Sequence, residues 1–292
     1  MSKLLITGAF GLVGSNICKV LERDYPDVEV TKLKCDEGLE NLYSKWFDFV
    51  ICAAGYGQPQ LFSKDKIKTI QINVGLPNAL FTSLKLGGKF LYVSSSEIYS
   101  GAPSPHKEED IGTTTPQHPR ACYIEGKRCG EAICMAYSEQ GYDVKIARLA
   151  LAYGPGTKKG DTRVINQFIE QALTTGEIKM KDAGQSIRTY CYIDDAVDMM
   201  MDILFNGKSC VYNVGGVSTT SINALATTIA AITHSSVVVG SKGLDGAPED
   251  VKLDLSKTLK EFPRDFVSLD EGLIKTINYQ KELYGKFIKK TK

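Results

Sequence analysis

A glycine-rich loop close to the N-terminus, Gly8-Ala-Phe-Gly11-Leu-Val-Gly14, constrains the fold of this chain more than any other segment. It follows an apolar run with the composition of a buried strand, residues 3–7, and precedes residues 15–22, in which apolar side chains recur at helical spacing. Glycines permit a tight turn and a close approach of the backbone to a ligand. Since a helix N-terminus attracts negative charge, the order of strand, loop and helix predicts a site for a dinucleotide pyrophosphate.

The first half of the sequence alternates apolar runs with amphipathic segments. It predicts strands at residues 28–33, 49–53, 89–93 and 143–149, and helices at residues 76–85 and 121–140. This order indicates an α/β fold with a doubly wound parallel sheet of the Rossmann type. After residue 155 the pattern changes to loops between shorter helices, and that part predicts a smaller C-terminal α/β lobe.

A tyrosine and a lysine stand four residues apart in Tyr123-Ile-Glu-Gly-Lys127, within the second predicted helix. Residues at positions i and i+4 share a helix face, so the ammonium can lie beside the phenol. A neighbouring positive charge lowers the pKa of a phenol from its ordinary value of about 10. The pair therefore predicts a tyrosinate base near neutral pH, although the same spacing also arises by chance where a surface lysine covers an aromatic ring.

The GxxGxxG spacing and the Tyr-Lys pair resemble the short-chain dehydrogenase/reductase superfamily, in particular its extended branch, the NAD-dependent epimerase/dehydratase family that modifies nucleotide sugars. The resemblance covers nearly the whole chain. Further matching segments are Ser94-Ser-Ser-Glu-Ile-Tyr99, Arg148-Leu-Ala-Leu-Ala-Tyr-Gly-Pro155, Gly184-Gln-Ser-Ile-Arg-Thr-Tyr-Cys-Tyr-Ile-Asp-Asp195 and Tyr212-Asn-Val-Gly-Gly216. The resemblance implies an NAD(P)-binding Rossmann domain at residues 1–155, with a returning segment near residues 190–215. It also implies a substrate-binding lobe that is mostly residues 156–292.

The resemblance also implies a chemistry. Tyr123 takes the proton of a sugar hydroxyl, usually at C4, Lys127 tunes the phenol and holds the nicotinamide ribose, and Ser95 completes the triad. Ser96-Glu97 is similar to the pair found in UDP-glucuronate decarboxylases, in which C4 oxidation, loss of CO2 and return of the hydride follow one another. Glu97 and Ser96 would then handle the proton or water near C5.

Other reactions of the family remain open. A 4,6-dehydratase needs an Asp-Glu pair where this chain has Ser96-Glu97, and a 4-epimerase normally has no carboxylate there. An NADPH-dependent 4-keto-sugar reductase need not have Glu97. An NAD(P)-sensing protein without catalysis would retain the fold but would not need Ser95, Tyr123 and Lys127.

The resemblance further names the residues expected to hold the two ligands. For a nucleotide sugar, UDP-linked by analogy with the decarboxylases, the resemblance implies Arg120, Arg163, Arg188 and Tyr99. For NAD it implies Tyr123 and Lys127 together with Gly8, Phe10, Gly11, Leu12, Gly14, Lys34, Asp36, Ala53, Ala54, Gly55 and Asn73.

Three positions depart from the family pattern. Lys34 stands where NAD-dependent members have an acidic residue for the adenosine ribose; a cation there favours the 2′-phosphate of NADP, unless Asp36 reaches the ribose instead. Leu151 replaces an asparagine that usually touches the substrate, and Gly156 replaces an arginine of the decarboxylases. A different sugar, or a net reduction or epimerisation at C4, therefore stays open.

Composition argues against several kinds of partner. With 35 basic and 34 acidic residues the formal charge is +1, which does not favour nucleic acid or a membrane surface. No apolar stretch is long enough to span a bilayer, and the first strand follows Met1-Ser-Lys without a signal peptide, so we expect a cytoplasmic protein.

The eight cysteines contain no CxxC and are expected to be free thiols, with no metal site. Residues 77–86 and 121–140 resemble the helices that pair in dimers of the family, so we expect a homodimer.

Overall fold

The central sheet of the molecule is built from the alternating strands of the first half of the chain and one later strand. The computed structural model describes residues 1–35, 42, 45–241 and 250–288. In chain order the strands are β1 (Ser2–Thr7), β2 (Val28–Leu33), β3 (Phe47–Cys52), β4 (Leu84–Ser95), β5 (Asp143–Leu149), β6 (Ala152–Tyr153), β7 (Glu177–Lys179), β8 (Ile187–Tyr192), β9 (Val211–Val214), β10 (Ser218–Ser221), β11 (Ser236–Val238) and β12 (Asp250–Val251).

The helices cover the sheet and build most of the second half. They are α1 (Leu12–Asp24), α2 (Pro59–Lys64), α3 (Lys66–Ile70), α4 (Leu76–Phe81), α5 (Ala121–Glu139), α6 (Val164–Thr175), α7 (Ile193–Asn206), α8 (Ile222–Thr233), α9 (Ser256–Glu261) and α10 (Leu269–Ile288). A π-helical turn, Gln71–Gly75, joins α3 to α4, and a 3₁₀ turn, Ser96–Tyr99, follows β4.

Six strands form the central sheet in the order β2-β1-β3-β4-β5-β9, and all neighbours are parallel. The strand order reverses between β1 and β3. At such a switch point a crevice opens beyond the carboxyl ends of the strands, and ligands bind there. The predicted Rossmann-type doubly wound sheet is therefore confirmed, and its glycine loop lies at the crevice because it directly follows β1.

Both faces of this sheet are covered, which explains the apolar run in β1. Leu4 and Ile6 lie in the same core cluster as Ile17 of α1, whereas Leu5 lies in the cluster on the opposite face with Leu80 of α4. Alternate strand residues point to opposite faces, so a strand buried on both sides needs apolar residues at every position. Each such fully buried side chain stabilises the fold by about 1.5–3 kcal/mol.

The second half adds two small sheets and then returns to the first. β8 pairs with β10, β12 and β6, and β7 pairs with β11. After β8 the chain enters α7, which packs against α1, and then β9, which joins β5 at the edge of the central sheet. The two parts are therefore interleaved along the sequence.

The helix predicted at residues 76–85 differs from the structure at both ends. Helical structure begins earlier, at α3, and α4 ends at Phe81. Leu84 already belongs to β4, because it pairs with Phe47 and its side chain is fully buried. Burial against β3 thus outweighs the helical pattern of this segment. β3 and β4 also begin two and five residues before the predicted starts at residues 49 and 89.

None of the helices within residues 1–35, 42, 45–241 and 250–288 combines the length and the apolar character needed to cross a membrane.

Candidate active site

The carboxyl ends of the central strands open into a cleft with a volume of about 430 Å³. One wall comes from the glycine loop and from the ends of β3, β4 and β5. The other comes from the loop that precedes α6, including Lys158, Asp161 and Arg163. The cleft thus lies between the large sheet and the second half of the chain, which is where doubly wound folds bind ligands. Within the described ranges, no group of histidine, cysteine or acidic side chains is arranged to hold a metal ion.

The glycine loop leaves no room for side chains. A Cβ atom at Gly14 would lie 2.2 Å from the carbonyl oxygen of Gly8, and one at Gly8 would lie 2.6 Å from that of Ala53. Gly8 also has a φ of +71°, which favours glycine. Gly11 is the N-cap residue of α1 and has no side chain to cover the first helical N–H groups. This cradle at a helix N-terminus fits a pyrophosphate.

Replacing Gly14 by alanine is expected to weaken NAD binding about tenfold, because relieving the clash with Gly8 must shift the loop. Gly75→Ala is the matched control: its φ is −71°, and no described atom lies within 4 Å of the added Cβ. Isothermal titration with NAD should give an unchanged affinity for Gly75→Ala. Equal affinities of Gly14→Ala and the wild type would remove the glycine loop from the cofactor site.

The other predicted cofactor residues divide into two groups. Phe10, Leu12, Lys34, Ala53, Ala54 and Gly55 line the cleft together with the glycines. Asn73 does not: it is buried in the π-helical turn behind Gly55, and a Cβ at Gly55 would lie 3.5 Å from its Oδ1. The structure therefore places Asn73 one layer behind the cleft wall. Asp36 lies outside the described residues.

The proposed catalytic side chains come together at the end of β4. Helix α5 brings Tyr123 and Lys127 to the cleft, and the last residue of β4 brings Ser95. The Lys127 Nζ donates a hydrogen bond to the carbonyl oxygen of Val93 at 2.8 Å and lies 4.7 Å from the ring centre of Tyr92. The ammonium is therefore held against the strand that carries Ser95.

The electrostatics of the pair differ from the sequence-based expectation. Burial raises the pKa of Tyr123 to about 12, although a hydrogen bond with Ser95 and the charges of Arg120 and Arg163 lower it. Burial also lowers the pKa of Lys127 to about 8. The predicted acidification of the phenol by its lysine is not seen, because desolvation outweighs the groups that lower the pKa of Tyr123. The cations that act on the phenol are arginines.

Glu97 lies in the same cleft and is fixed by its local turn. Ser95 is the N-cap of the 3₁₀ turn, and its hydroxyl accepts a hydrogen bond from the Glu97 N–H at 3.2 Å. The Glu97 carboxylate pairs with Arg120 through Oε1, whereas its buried Oε2 has no hydrogen-bond partner among the described residues. Burial raises the pKa of Glu97, and the charges of Arg120 and Arg188 oppose this rise. Ser96 lines the cleft beside it.

The three predicted arginines occupy different positions. Arg120 lines the cleft, with its guanidinium 5.4 Å from the ring centre of Phe62. Arg163 also lines the cleft and is held by Asp161 through two of its nitrogens, at 2.6 and 3.0 Å. Arg188 does not line it; its Nη1 donates to the neighbouring carbonyl of Ile187, and only its charge acts on Glu97.

The predicted substrate contact of Tyr99 is not supported. Its side chain is fully buried, its hydroxyl donates to Asn213 Oδ1 at 2.8 Å, and Arg148 donates to the same hydroxyl at 2.8 Å. The ring also stacks on His106, with 5.0 Å between ring centres. Tyr99 is therefore a core residue of a polar network and does not reach the cleft.

Two residues of the site gave no recognisable signal in the sequence. Phe62 stacks on Tyr123 with ring centres 4.7 Å apart. The Gln58 Oε1 accepts hydrogen bonds from both the N–H and the hydroxyl of Thr162, each at 3.2 Å, and so connects the two walls of the cleft. Both belong to the short helix α2 or its N-cap, where only Pro59 indicated a helix start.

The structure also places Leu151 and Gly156, two of the three residues that depart from the family pattern. Leu151 lines the cleft with a φ of +37° and places an aliphatic side chain there. Gly156 has a φ of +102°, and a Cβ atom on it would lie 2.9 Å from Asn16 Nδ2. Any side chain at position 156 would therefore be strained. Lys34 lines the cleft together with the residues of the glycine loop.

Comparison with known proteins finds relatives that match most of the chain in sequence. The chain is 32% identical to UDP-glucuronic acid decarboxylase 1 of Xenopus tropicalis, over 96% of this chain and 73% of that protein. It is 30% identical to UDP-glucuronic acid decarboxylase 3 of Arabidopsis thaliana, over 93% and 86% of the two chains.

Solved structures share the fold at lower identity. An epimerase of Methanothermobacter thermautotrophicus, Mth375, superimposes with a TM-score of 0.85 at 20% identity, over 99% of this chain and 95% of the other. The UDP-glucuronic acid 4-epimerase of Bacillus cereus, solved with UDP-glucuronic acid and NAD, gives 0.82 at 22% identity, over 97% and 100%. The family model described as NAD dependent epimerase/dehydratase family matches residues 4–215. With the glycine loop, the doubly wound sheet and this match in agreement, the chain belongs to the NAD-dependent epimerase/dehydratase family.

Proposed function

We propose that the protein is a nucleotide-sugar decarboxylase that acts on UDP-glucuronate through transient oxidation at C4. The observation that carries the proposal is the grouping of Glu97 with Arg120 in the cleft that also contains Tyr123 and Lys127. The curated relatives named UDP-glucuronic acid decarboxylase support it.

Tyr123 is the proposed base for the C4 hydroxyl. Its proton is costly to remove because the phenol is buried, and Ser95, Arg120 and Arg163 reduce that cost. Ser95 stands where it can hydrogen-bond the reacting oxygen and keep it near the phenol. The glycine cradle of Gly8, Gly11 and Gly14 would hold NAD, whose nicotinamide would supply the acceptor for the C4 hydride and the means of its return.

The carboxylate of the oxidised sugar is β to the new ketone, so the electrons of the breaking C–C bond are accepted by that ketone and CO2 leaves. The sugar that remains after CO2 has left must gain a proton at C5. Glu97 is suited to deliver it, because burial raises its pKa and its Oε2 faces no protein partner among the described residues. Arg120 holds the other oxygen, Oε1, and thereby orients the carboxyl group.

The sugar nucleotide is proposed to lie along the second wall of the cleft. Lys158 and Arg163 supply positive charge there, and Asp161 fixes Arg163. We accordingly propose residues 156–292 as mostly the substrate-binding lobe, and residues 1–155 with the returning segment near 190–215 as the cofactor domain. Arg188 would act on the substrate end of the site through its charge.

The decisive experiment incubates the purified protein with UDP-glucuronate labelled at C6. We expect labelled CO2 and UDP-xylose in equal amounts, with no net change in absorbance at 340 nm. Formation of UDP-galacturonate without CO2 would instead identify a 4-epimerase, and an unchanged substrate would overturn the assignment of UDP-glucuronate.

The second candidate is an NADPH-dependent 4-keto-sugar reductase, and Lys34 in the cleft is the observation that favours it. Such an enzyme would consume NADPH in proportion to product. A second assay with NADPH and a nucleotide 4-keto sugar, followed at 340 nm, therefore tests this candidate: consumption of NADPH supports it, and constant absorbance contradicts it. Titration with NAD and NADP reports which cofactor binds more tightly.

We also propose that the protein is a cytoplasmic homodimer. No disulfide joins the eight cysteines, all of which lie within the described residues, in keeping with a reducing compartment. Ile67 and Ile70 on α3 and Met135 on α5 are exposed apolar residues on adjoining helices, and they support pairing through this face. Sedimentation at twice the mass of one chain is the expected result.

A further inference from the structure

The buried face of α5 carries a carboxylate that the proposed mechanism does not use. Glu131 follows Lys127 by four residues and Tyr123 by eight, so the three side chains lie along one stripe of the helix. All three are buried, with 7%, 3% and 8% of their surface exposed, respectively. A carboxylate in such surroundings is costly unless it is paired and hydrogen-bonded.

Both oxygens of Glu131 are engaged. The Ser94 hydroxyl donates a hydrogen bond to Oε1 at 2.5 Å. Arg148 donates to Oε2 from Nη2 at 2.8 Å and to Oε1 from Nε at 3.1 Å, a bidentate ion pair whose side chains are about nine-tenths buried. Such fork geometry fixes orientation as well as charge. The carboxylate therefore has one defined position.

Arg148 is itself anchored, so the pair is attached to the central sheet. Its Nη1 donates to the Tyr99 hydroxyl at 2.8 Å and to the carbonyl oxygen of Glu108 at 2.7 Å. Arg148 on β5 is also the register partner of Ser94 on β4. Glu131 consequently ties α5 to the carboxyl ends of two neighbouring strands at the same level.

The contact of Ser94 with Glu131 lies between the two contacts that position Lys127 and Tyr123. Three successive residues of β4 meet α5: the Val93 carbonyl accepts from Lys127, the Ser94 hydroxyl donates to Glu131, and Ser95 lies beside Tyr123 in the cleft and lowers the pKa of its phenol. A shift of the middle contact would move the outer two, because they lie on the same strand end.

Glu131 is also the carboxylate neighbour of the Lys127 amine, and its charge acts on that amine. The groups around that amine are the thiol of Cys52 on β3, the ring of Tyr92 on β4, and the side chains of Glu131 and Cys134 on α5, with Tyr123 one turn away. Burial raises the pKa of both thiols and of Tyr92, so these three groups are neutral at pH 7. Among these neighbours, Glu131 supplies the negative charge.

We propose that Glu131 is a positioning residue for the catalytic pair: with Ser94 and Arg148 it holds Ser95 beside Tyr123, and its charge keeps the Lys127 amine protonated. The inference rests on the proposed assignment of Tyr123 and Lys127 as the catalytic pair. It does not depend on which sugar the enzyme takes.

Glu131→Gln tests the charge. The amide keeps the shape of the side chain but removes its negative charge and leaves the positive charge of Arg148 uncompensated. Both changes in charge disfavour the Lys127 ammonium. We expect Lys127 to lose its proton about one pH unit lower. The readout is a titration of the amine by ¹⁵N NMR in NAD-saturated protein labelled at lysine Nζ, with Lys127→Met to assign the signal. Glu139→Gln, at the exposed end of α5, is the matched control and should leave the titration unchanged.

Activity gives the second readout. In Glu131→Gln we expect kcat to fall at least tenfold and the alkaline limb of the kcat/KM profile to move to lower pH. Arg148→Lys keeps a positive charge but loses the fork, and Ser94→Ala removes one hydrogen bond; both should lower kcat with little shift of the Lys127 titration.

A lower melting temperature of Glu131→Gln with an unchanged Lys127 titration and unchanged kcat would overturn the proposal and leave a purely structural ion pair. If Glu131→Gln does not fold, unchanged kcat in both Ser94→Ala and Arg148→Lys would overturn it equally. The NMR titration needs no sugar, so a failure of UDP-glucuronate to react would be distinguishable from a failure of this inference.

Discussion

Replacing Tyr123 by phenylalanine is expected to lower kcat by about 10²–10⁴-fold, the range found when a general base is removed. The ring remains, so its stacking on Phe62 at 4.7 Å and the packing of α5 should persist. Substrate affinity should therefore change little. The measurements are CO2 release from UDP-glucuronate for kcat and isothermal titration for binding.

Tyr137→Phe is the matched control on the same helix. Its hydroxyl donates to Asn78 Oδ1 at 3.0 Å and lies away from the cleft lining, so turnover should match that of the wild type. If Tyr123→Phe retained a third or more of the wild-type kcat, the base would have to be another group, and the mechanism proposed for the hydroxyl would be wrong.

Replacing Glu97 by glutamine is expected to slow turnover about 10²-fold at a later step. Oxidation at C4 needs Tyr123, Lys127 and Ser95 and should continue, whereas delivery of a proton to C5 should become slow. The oxidised sugar should accumulate on the enzyme. Mixing the variant with UDP-glucuronate should give a rise in absorbance at 340 nm that approaches one equivalent per active site, followed by slow decay.

Glu109→Gln provides the same chemical change at an exposed position and should give neither the burst nor the loss of turnover. Wild-type turnover by Glu97→Gln would remove this carboxylate from the mechanism. A loss of turnover without the burst would assign it to the oxidation step instead, because the reaction would then stop before the hydride leaves C4.

The sequence predicted those parts of the fold that local pattern controls. The glycine loop between β1 and α1 and the apolar strands of the central sheet follow from short-range rules, and the fold they predict is confirmed. The boundary near Leu84 was wrong because it depends on pairing with a distant strand. Strands such as β6 and β12, with two residues each, are too short to show any periodicity.

The positions of the site residues were predictable where a motif fixes their spacing in the sequence, but not where tertiary packing determines them. Tyr123, Lys127 and Ser95 meet as expected, since helix geometry and the strand end bring them together. Tyr99 lies next to the triad segment in sequence, yet its partners in the core are remote in sequence and take it out of the site. The pKa directions of Tyr123 and Lys127 follow from burial, which no local pattern reports.

The hydrogen bonds of Gln58 to Thr162 have a consequence for exchange between the cleft and solvent. Two such bonds to one neutral acceptor contribute about 1–3 kcal/mol together. An arrangement with both of these hydrogen bonds broken would then be populated at roughly 0.6–16%, if no other contact opposed it. These two bonds by themselves therefore hold the loop that precedes Arg163 only weakly to the cofactor side. A molecule bound between the walls would therefore be retained mainly by its own contacts with them.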